Sequence, residues 1–248
     1  TAYEIGVRLV GSEMCIRDSF KGEFILWAVR WYCKYGVSYR ELEEMLRERG
    51  LEVDHTTIYR WVQIYAPKLK KKLAWYYRNQ FGHSWQVDET YVKVSGRWVY
   101  LYRAIDRFGD TIDFYLSTKR NKIAAKRFLQ KAFSGCKSYA YPDAINTDKH
   151  QSYKAAIKEL KAEGRIPESL EVRQVKYLNN RIESDHGKLN RLIKPTLGFK
   201  TMKSAWNTLQ GFEVMRIFKK GQMNPWLFGD KIKAEVRLIN KIFGIYAF

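Results

Sequence analysis

Three acidic residues lie where the predicted elements could bring carboxylates together. Asp88 lies in a segment of alternating apolar and polar residues, Asp148 ends a short apolar segment, and Glu183 lies in the first turn of a helical pattern. Converging carboxylates repel each other unless cations lie between them, and hard oxygen ligands suit Mg²⁺. Two such ions about 4 Å apart would activate an attacking oxygen and stabilise a leaving oxygen at phosphorus. The three acids therefore predict in-line displacement at a phosphate.

Each acid also has an explanation that involves no chemistry. Glu183 could favour the helix dipole, Asp148 could cap the helix that follows it, and Asp88 could be a solvated strand residue. Four other acids compete for the same roles: Glu89, Asp106, Asp113 and Asp185. Among these, Asp106 is expected at a turn. No histidine is assigned a catalytic role, and His186 is expected at the surface. Composition alone does not choose among the acids.

The elements predicted from residue 81 onward must position these acids. Three segments with a period of two are predicted as antiparallel strands: "SWQVDETYVKV", "RWVYLYRAIDR" and "TIDFYLSTKR". Segments predicted as helix, strand, helix, strand and helix follow: "NKIAAKRFLQKAF", "DAINTD", "SYKAAIKELKAEG", "LEVRQVKYL" and "NNRIESDHGKLNRLI". Side chains at the end of "AINTD" leave the sheet into the crevice at the strand ends. This β-β-β-α-β-α-β-α order is that of a ribonuclease-H-like α/β fold.

The segment before Pro67 has the features of a helix-turn-helix. Ser38 and Glu41 form a capping box that begins one helix, and Asp54 can cap a second helix from residue 55 to about residue 65. One face of the second helix presents polar side chains that could contact DNA: Thr56, Tyr59, Arg60 and Gln63. Arginine and glutamine can pair bidentately with base edges in the major groove. The alternative is an ordinary helical hairpin with a solvated face.

The overall charge favours a polyanionic partner. The chain has 45 Lys and Arg against 26 Asp and Glu, for a net charge of +19, and its pI is about 9.7. Such a chain binds nucleic acid through phosphates, although a charged coat on a soluble protein is the alternative. We expect no membrane span, because no run of 18 apolar residues occurs. Three cysteines without a CxxC motif fit a reducing cytoplasm.

Five segments are predicted along the chain. Residues 1–19 look like adaptor or cloning read-through and are expected to be a non-native leader. Residues 20–66 are predicted as a helix-turn-helix DNA-binding domain, residues 67–80 as a basic connector, residues 81–202 as the catalytic domain, and residues 203–248 as a helical basic C-terminal region. The aromatic residues of the connector either pack between domains or contact DNA: Trp75, Tyr76 and Tyr77.

From Phe20 onward the chain resembles the DDE transposases of bacterial insertion sequences, specifically the insertion-sequence-six family. The resemblance is found in "ILWAVRWYCKYGVSYRELEEMLRERGLEVDHTTIYRWV", "DETYVKVSGRWVYLYRAID", "INTDKH", "NNRIESDHGKLNRLI" and "TLGFKTMKSAWNTLQGFEVMR". Thirty-four residues separate Asp148 from Glu183, the spacing by which the family is recognised. The resemblance implies a retroviral-integrase-like catalytic domain in which Asp88, Asp148 and Glu183 are the catalytic acids and hold two Mg²⁺ ions, with Mn²⁺ able to substitute.

The resemblance also implies an activity and its partners. Water would attack at the terminal inverted repeats of a mobile element, and the freed 3′-OH would attack target DNA, usually forming a cointegrate. Two ends must be joined, so at least a homodimer acting on double-stranded DNA is expected, in the bacterial cytoplasm at the nucleoid. Lys188, Asn190 and Arg191 are expected to contact DNA near the acids.

One position departs from the family pattern. The family usually has Lys or Arg seven residues after the catalytic Glu, and this chain has Asn190 there. A catalytically decayed copy that only binds specific DNA sequences is therefore an alternative to an active enzyme. A ribonuclease-H-type nuclease that cleaves RNA in hybrids is a third hypothesis, which the N-terminal helix-turn-helix disfavours.

Overall fold

The computed structural model of the chain describes residues 20–77, 82–136, 141–148, 150–223 and 231–245. The predicted leader, residues 1–19, lies outside the described residues. Of the described residues, those up to 77 and those from 206 onward form one compact unit, and those between 82 and 205 form a second. Among the described residues, no helix has the length and apolar content needed to cross a membrane.

The first unit contains five helices of the described residues: α1 (Gly22–Tyr35), α2 (Tyr39–Arg47), α3 (His55–Leu73), α7 (Met202–Lys220) and α8 (Lys231–Ile242). The helices numbered between α3 and α7 belong to the second unit, and α7 begins four residues before the first unit's C-terminal part. The predicted capping box is confirmed, because Ser38 Oγ accepts a hydrogen bond from Glu41 N at 3.2 Å. Asp54 caps α3 by accepting from Thr56 N. Apolar side chains from α1, α2, α3 and α7 fill the core: Ile25, Leu26, Val29, Leu42, Leu46, Ile58, Trp61, Val62, Leu209, Phe212 and Met215.

The predicted end of the second helix, at about residue 65, is wrong. Helix α3 continues through Pro67 to Leu73. Proline lacks the N–H that would bond to the carbonyl of Gln63, four residues earlier. That carbonyl instead accepts a hydrogen bond from Asn207 Nδ2 at 3.2 Å. Leu69 and Leu73 are fully buried beyond the proline, so tertiary packing outweighs the local cost of Pro67.

The second unit is built on a five-stranded sheet. The strands are β1 (Ser84–Val94), β2 (Arg97–Asp106), β3 (Thr111–Ser117), β4 (Ala144–Thr147) and β5 (Glu171–Arg173), in the order β3-β2-β1-β4-β5. The β1–β2 and β2–β3 pairs are antiparallel, whereas β1–β4 and β4–β5 are parallel. Helices α4 (Lys122–Ser134), α5 (Gln151–Ala162) and α6 (Asn180–Ile193) alternate with the later strands. This topology confirms the predicted ribonuclease-H-like α/β fold.

Two helical layers cover opposite faces of this sheet. Trp85 and Val87 of β1 join a core cluster with Phe128 of α4 and Ile157 of α5. Successive side chains of a strand point to opposite faces, so Asp88 points away from that core. Helix α6 lies on the Asp88 side, and its buried Ile182, Leu189 and Leu192 attach it to the unit. The predicted last strand is shorter than expected, because a 3₁₀ helix (Lys176–Asn179) replaces its second half.

Candidate active site

The register of two parallel strands brings Asp88 and Asp148 together. Val87 of β1 pairs with Thr147 of β4, and the next residue along each strand is an aspartate. Neighbouring strands lie about 4.8 Å apart, so the two side chains emerge side by side where β4 ends. Carboxylate oxygens of Asp88, Glu89 and Asp148 all lie within 4.8 Å of one another. We call these three residues the acid cluster.

The carboxylate of Asp148 is held on both oxygens. Its Oδ1 accepts a hydrogen bond from His150 N at 3.0 Å, and its Oδ2 accepts one from Arg120 Nη2 at 2.8 Å. Gln174 Nε2 donates to the backbone carbonyl of Asp148 at 3.3 Å. These contacts set the direction of the Asp148 side chain.

Glu89 is the buried member of the acid cluster. Its Oε2 accepts a hydrogen bond from the Tyr153 hydroxyl at 2.6 Å, and its Oε1 forms an ion pair with Arg120. Burial of Tyr153, more than the charge of Glu89, raises the pKa of its hydroxyl well above the usual range, so Tyr153 stays a donor. Arg120 therefore bridges two members of the acid cluster. Spacing in the sequence does not reveal Arg120, because it follows β3 and is distant from both acids along the chain.

The ionised form of Asp88 is disfavoured by its surroundings. Burial, followed by the charge of Glu89, raises the pKa of Asp88 to about 7, and the charges of Asp148 and Glu183 add to this rise. His186 Nδ1 lies 3.8 Å from Asp88 Oδ2. The expectation that His186 lies at the surface is wrong, since its side chain is buried on the sheet side of α6. A cation bound here would favour the ionised form of Asp88.

Glu183 lies beside the acid cluster without joining it. It is exposed in the first turn of α6, next to the buried Ile182. Its charge contributes to the raised pKa of Asp88. Among the described residues, the group with oxygens within 4.8 Å contains Glu89 and does not contain Glu183.

The other candidate acids have structural hydrogen-bond or ion-pair partners. Asp106, fully buried at the end of β2, accepts hydrogen bonds at 2.8 Å from three backbone N–H groups: those of Gly82, Phe108 and Asp110. It therefore organises a turn, as expected. Asp113 forms an ion pair with Lys131. Asp185 forms a buried ion pair with Arg103, at 2.7 Å between Oδ2 and Nη1.

The acid cluster has the donor set of a divalent-cation site. Its donors are all carboxylate oxygens, the ligands that Mg²⁺ prefers, and two of its members are already oriented by hydrogen bonds. Burial and, after it, the charges of the neighbouring carboxylates oppose ionisation of Asp88. A bound hard divalent ion would therefore relieve the repulsion among these carboxylates.

The predicted DNA-contacting residues of α3 fall into two groups. Thr56 and Arg60 are exposed. Tyr59 is half-buried and packs edge-on against Tyr39, with ring centroids 5.6 Å apart. Gln63 donates from Nε2 to Thr208 Oγ1 at 2.9 Å, so its amide is already engaged within the first unit. Thr56 and Arg60 are therefore the two side chains of this set that face solvent.

On α6, the predicted contact residues all face solvent: Lys188, Asn190 and Arg191. Asn190 lies two helical turns from Glu183 and on the same side of the helix.

The aromatic residues of the predicted connector differ in their surroundings. Trp75 is 90% exposed, whereas the backbone of Tyr77 forms an isolated antiparallel β-bridge with Met223.

Comparisons with known proteins agree on one family. The family model DDE_Tnp_IS240, described as a DDE domain, matches residues 82–222. The transposase for the insertion sequence-like element IS431mec of Staphylococcus aureus (strain N315) is 36% identical over 217 residues, covering 85% of this chain and 91% of the relative. The transposase for insertion sequence element IS257 in transposon Tn4003 of Staphylococcus aureus matches to the same extent.

Solved structures with a similar arrangement include retroviral integrases. The HTLV-2 integrase catalytic core domain in complex with magnesium, in its dimeric form, is 18% identical, with a TM-score of 0.37. The match covers 49% of this chain and 73% of that chain.

Proposed function

Since the chain belongs to the insertion-sequence-six family of DDE transposases, which are polynucleotidyl transferases, we propose that it binds the terminal inverted repeats of its element and catalyses Mg²⁺-dependent 3′-end cleavage and strand transfer. The observation that carries the proposal is the convergence of Asp88 and Asp148 on a chain of net charge +19. Carboxylates at a DNA-binding surface repel phosphate unless a cation lies between them.

We assign the metal-binding and catalytic roles to Asp88, Asp148 and Glu183. When bound, two divalent ions supply Lewis acidity for the attacking and leaving oxygens at phosphorus. Arg120 and His150 hold the Asp148 carboxylate in one orientation. Glu183, exposed on α6, would complete the set of ligands when the ions bind, and its charge already acts on Asp88.

The proposed reaction has two displacements at phosphorus. In the first, water attacks the phosphodiester at an element end, the P–O3′ bond breaks, and a free 3′-OH remains. In the second, this 3′-OH attacks a target phosphodiester and displaces the target's 3′ oxygen. No covalent bond to the protein forms. These two steps join donor and target strands around one copy of the element, and DNA replication from the freed target 3′-OH groups then yields a cointegrate with two copies.

The proposed partners follow from this reaction. Helix α3 would bind the terminal repeat through Thr56 and Arg60, the two exposed members of the predicted set. Exposed Lys188 and Arg191 of α6 would contact phosphates near the acids. Because two ends are joined, the working form is at least a homodimer, acting at the bacterial nucleoid.

A second candidate function is sequence-specific DNA binding by a catalytically decayed copy. The observation that favours it is Asn190, an exposed and uncharged residue on the Glu183 side of α6. Asparagine can hydrogen-bond a phosphate but adds no charge, so it holds the strand less strongly than lysine or arginine.

The test is cointegrate formation in cells that carry a donor plasmid with the element's own ends. The full chain would be compared with Glu183→Gln, with Asn190→Lys and with the matched control Glu168→Gln, which alters an exposed glutamate of the same unit. We expect cointegrates from the full chain and from Glu168→Gln, and none from Glu183→Gln.

Three other outcomes would change the conclusion. Cointegrates that appear only with Asn190→Lys would indicate a copy disabled at that position. If no variant forms cointegrates but binding to the element ends is retained, the DNA-binding function would be favoured. Cleavage of an RNA–DNA hybrid without strand transfer would favour a nuclease.

A further inference from the structure

A cavity of about 420 Å³ lies in the second unit, on the α6 side of the sheet. Gln86 and Asn146 from neighbouring strands line it, together with Tyr177 from the 3₁₀ helix before α6 and Asn180, the first residue of α6. Gln86 is two residues from Asp88 on the same face of β1, a separation of about 7 Å. The cavity is therefore adjacent to the acid cluster and separate from it.

Three arginines surround this cavity: Arg107, Arg173 and Arg181. All three are exposed. Within the described residues, Arg107 and Arg181 have no acidic partner, and Arg107 stacks on the Phe108 ring with 4.6 Å between the guanidinium carbon and the ring centroid. Arg173 donates to Glu171 at 2.6 Å, in an exposed pair that a ligand can replace. Planar guanidinium groups match phosphate oxygens, so the rim is suited to a phosphate.

The cavity lining also includes a buried amide whose oxygen has no hydrogen-bond partner among the described residues. Gln86 is 8% exposed, and its Oε1 accepts no hydrogen bond from the described residues. The amide of Asn146, its neighbour in the strand register, is in contrast fully used: Nδ2 donates to the Val175 carbonyl at 3.2 Å, and Oδ1 accepts from Val175 N at 3.0 Å. Buried amides almost always have hydrogen-bond partners, so Gln86 Oε1 lacks a donor that a ligand could supply.

A ring completes the set of groups. The Tyr177 side chain is 71% exposed at the cavity rim. Exposed aromatic rings beside cationic grooves stack on nucleic-acid bases, and a carboxamide can hydrogen-bond a base edge. Phosphate-binding arginines, a base-binding amide and a stacking ring thus line one cavity large enough for a small ligand.

We propose that this cavity binds one unstacked nucleotide of a DNA strand. Arg107 and Arg181 hold its phosphate, Gln86 hydrogen-bonds its base, and Tyr177 stacks on that base. The inference rests on the proposed function for the source of the nucleotide, since the first turn of α6 carries both Asn180 of the cavity and Glu183. A strand whose phosphate reaches the acids has an adjacent nucleotide within reach of the cavity.

The test uses deoxyadenosine 5′-monophosphate as the probe, with EDTA present so that no metal contributes. Binding to the full chain is followed by saturation-transfer NMR and calorimetry. The variants are Arg107→Ala/Arg181→Ala and Gln86→Leu, and the matched control is Arg97→Ala/Arg127→Ala, which removes two exposed arginines outside the cavity. Circular dichroism checks that each variant folds.

We expect the probe to bind, and the NMR experiment should show magnetisation transfer from the protein to the protons of its base. The double cavity variant should weaken binding at least about tenfold, Gln86→Leu about two- to tenfold, and the control variant should leave it unchanged. Equal loss in the cavity and control variants, or no binding of the probe at millimolar concentration, would overturn the inference. So would equal binding of inorganic phosphate with no effect of Gln86→Leu, because the cavity would then be a simple anion site.

A second arm identifies the source of the nucleotide. A single-stranded oligonucleotide should bind more weakly to the double cavity variant than to the control variant, and excess mononucleotide should compete with it. If mononucleotide binding is sensitive to the cavity variants but oligonucleotide binding is not, the ligand is a free nucleotide and the DNA assignment fails. Because these measurements need neither metal nor strand transfer, a chain that forms no cointegrates can still pass them.

Discussion

Arg120 Nη2 lies 2.8 Å from Asp148 Oδ2, and the same guanidinium forms an ion pair with Glu89. One protein cation thus pairs with two of the three members of the acid cluster and offsets one of their two negative charges. Burial, followed by the charge of Glu89, raises the pKa of Asp88, the third member, to about 7. The site therefore combines a fixed cation on one side with an uncompensated carboxylate on the other, and a divalent ion would add the missing positive charge at Asp88.

Replacing Arg120 should lower the free energy of unfolding, and bound Mg²⁺ should restore part of the loss. Arg120→Ala leaves Glu89, whose side chain is 3% exposed, without its charge partner. We expect a loss of about 2 kcal/mol in the free energy of unfolding when EDTA is present, because an unpaired buried charge keeps its desolvation cost. Urea unfolding with and without Mg²⁺ measures this, and the gain from Mg²⁺ should be larger in the variant. Arg127→Ala, which removes an exposed arginine of α4, should change neither value.

Replacing Asp88 should have the opposite effect on the metal-free chain. Asp88→Asn removes one negative charge from a group of carboxylates within 4.8 Å of one another. We expect a higher melting temperature in EDTA and loss of the additional stabilisation by Mg²⁺, with strand transfer abolished. Glu168→Gln, at an exposed position, should behave like the unaltered chain. A lower melting temperature for Asp88→Asn in EDTA would contradict the repulsion inferred here.

The same residue should determine how stability depends on pH. Asp88 has an ordinary pKa of 3.8, and in the folded chain its pKa is about 7. Between these values the folded chain binds an extra proton, so the free energy of unfolding should fall as pH rises from about 4 to about 7 in EDTA. Urea titrations across this interval should show the fall in the unaltered chain and a smaller one in Asp88→Asn. An equal fall in both would assign it to other groups.

A charge at position 190 should strengthen DNA binding. Asn190→Lys adds a cation on the Glu183 side of α6, and we expect one more phosphate contact, a salt slope steeper by about one, and more strand-transfer product. Fluorescence anisotropy with end DNA at several salt concentrations measures the slope. Ser184→Lys, which adds the same charge at another exposed position of α6, is the control. Equal effects of both variants would show that only net charge matters.

The exposed arginine of α3 should contribute sequence preference. Arg60→Ala should reduce the affinity for element ends relative to scrambled DNA by about 1–3 kcal/mol, because a bidentate arginine contact discriminates bases. Arg40→Ala, at an exposed position of α2, should affect both DNAs equally or not at all. Competition binding with the two DNAs provides the measurement. If Arg60→Ala weakens both DNAs equally, Arg60 contacts phosphate.

Glu235 should be essential for the stability of the first unit. Its two oxygens each lie 2.6 Å from a buried cation, Arg30 Nε and Lys34 Nζ. Glu235→Ala would leave both cations buried without their carboxylate, so we expect a loss of about 3–5 kcal/mol in the free energy of unfolding. Urea unfolding measures the loss. Glu44→Ala, at an exposed position of α2, should stay within about 0.5 kcal/mol of the unaltered chain.

Much of the fold follows from local patterns. The change in period near residue 81 predicts the strands, and the capping residues Ser38 and Asp54 predict two helix starts that the structure confirms. These features depend on contacts between residues close in sequence, which a single sequence records directly. The end of α3 is different, because the cost of Pro67 is offset by Asn207, a residue 140 positions further along the chain.

The sequence by itself determined the order of the elements, the strong positive charge, and the positions of Asp88 within the first strand and of Asp148 at the end of the short fourth strand. Only the tertiary structure decided that Glu89 joins the acid cluster, that Arg120 bridges it, that His186 is buried beside Asp88, and that Gln63 is engaged by Thr208. Each of these contacts joins side chains from different elements, and their pairing depends on strand register and helix packing. Periodicity shows which face a residue occupies, but it does not show which residue from a distant element lies opposite.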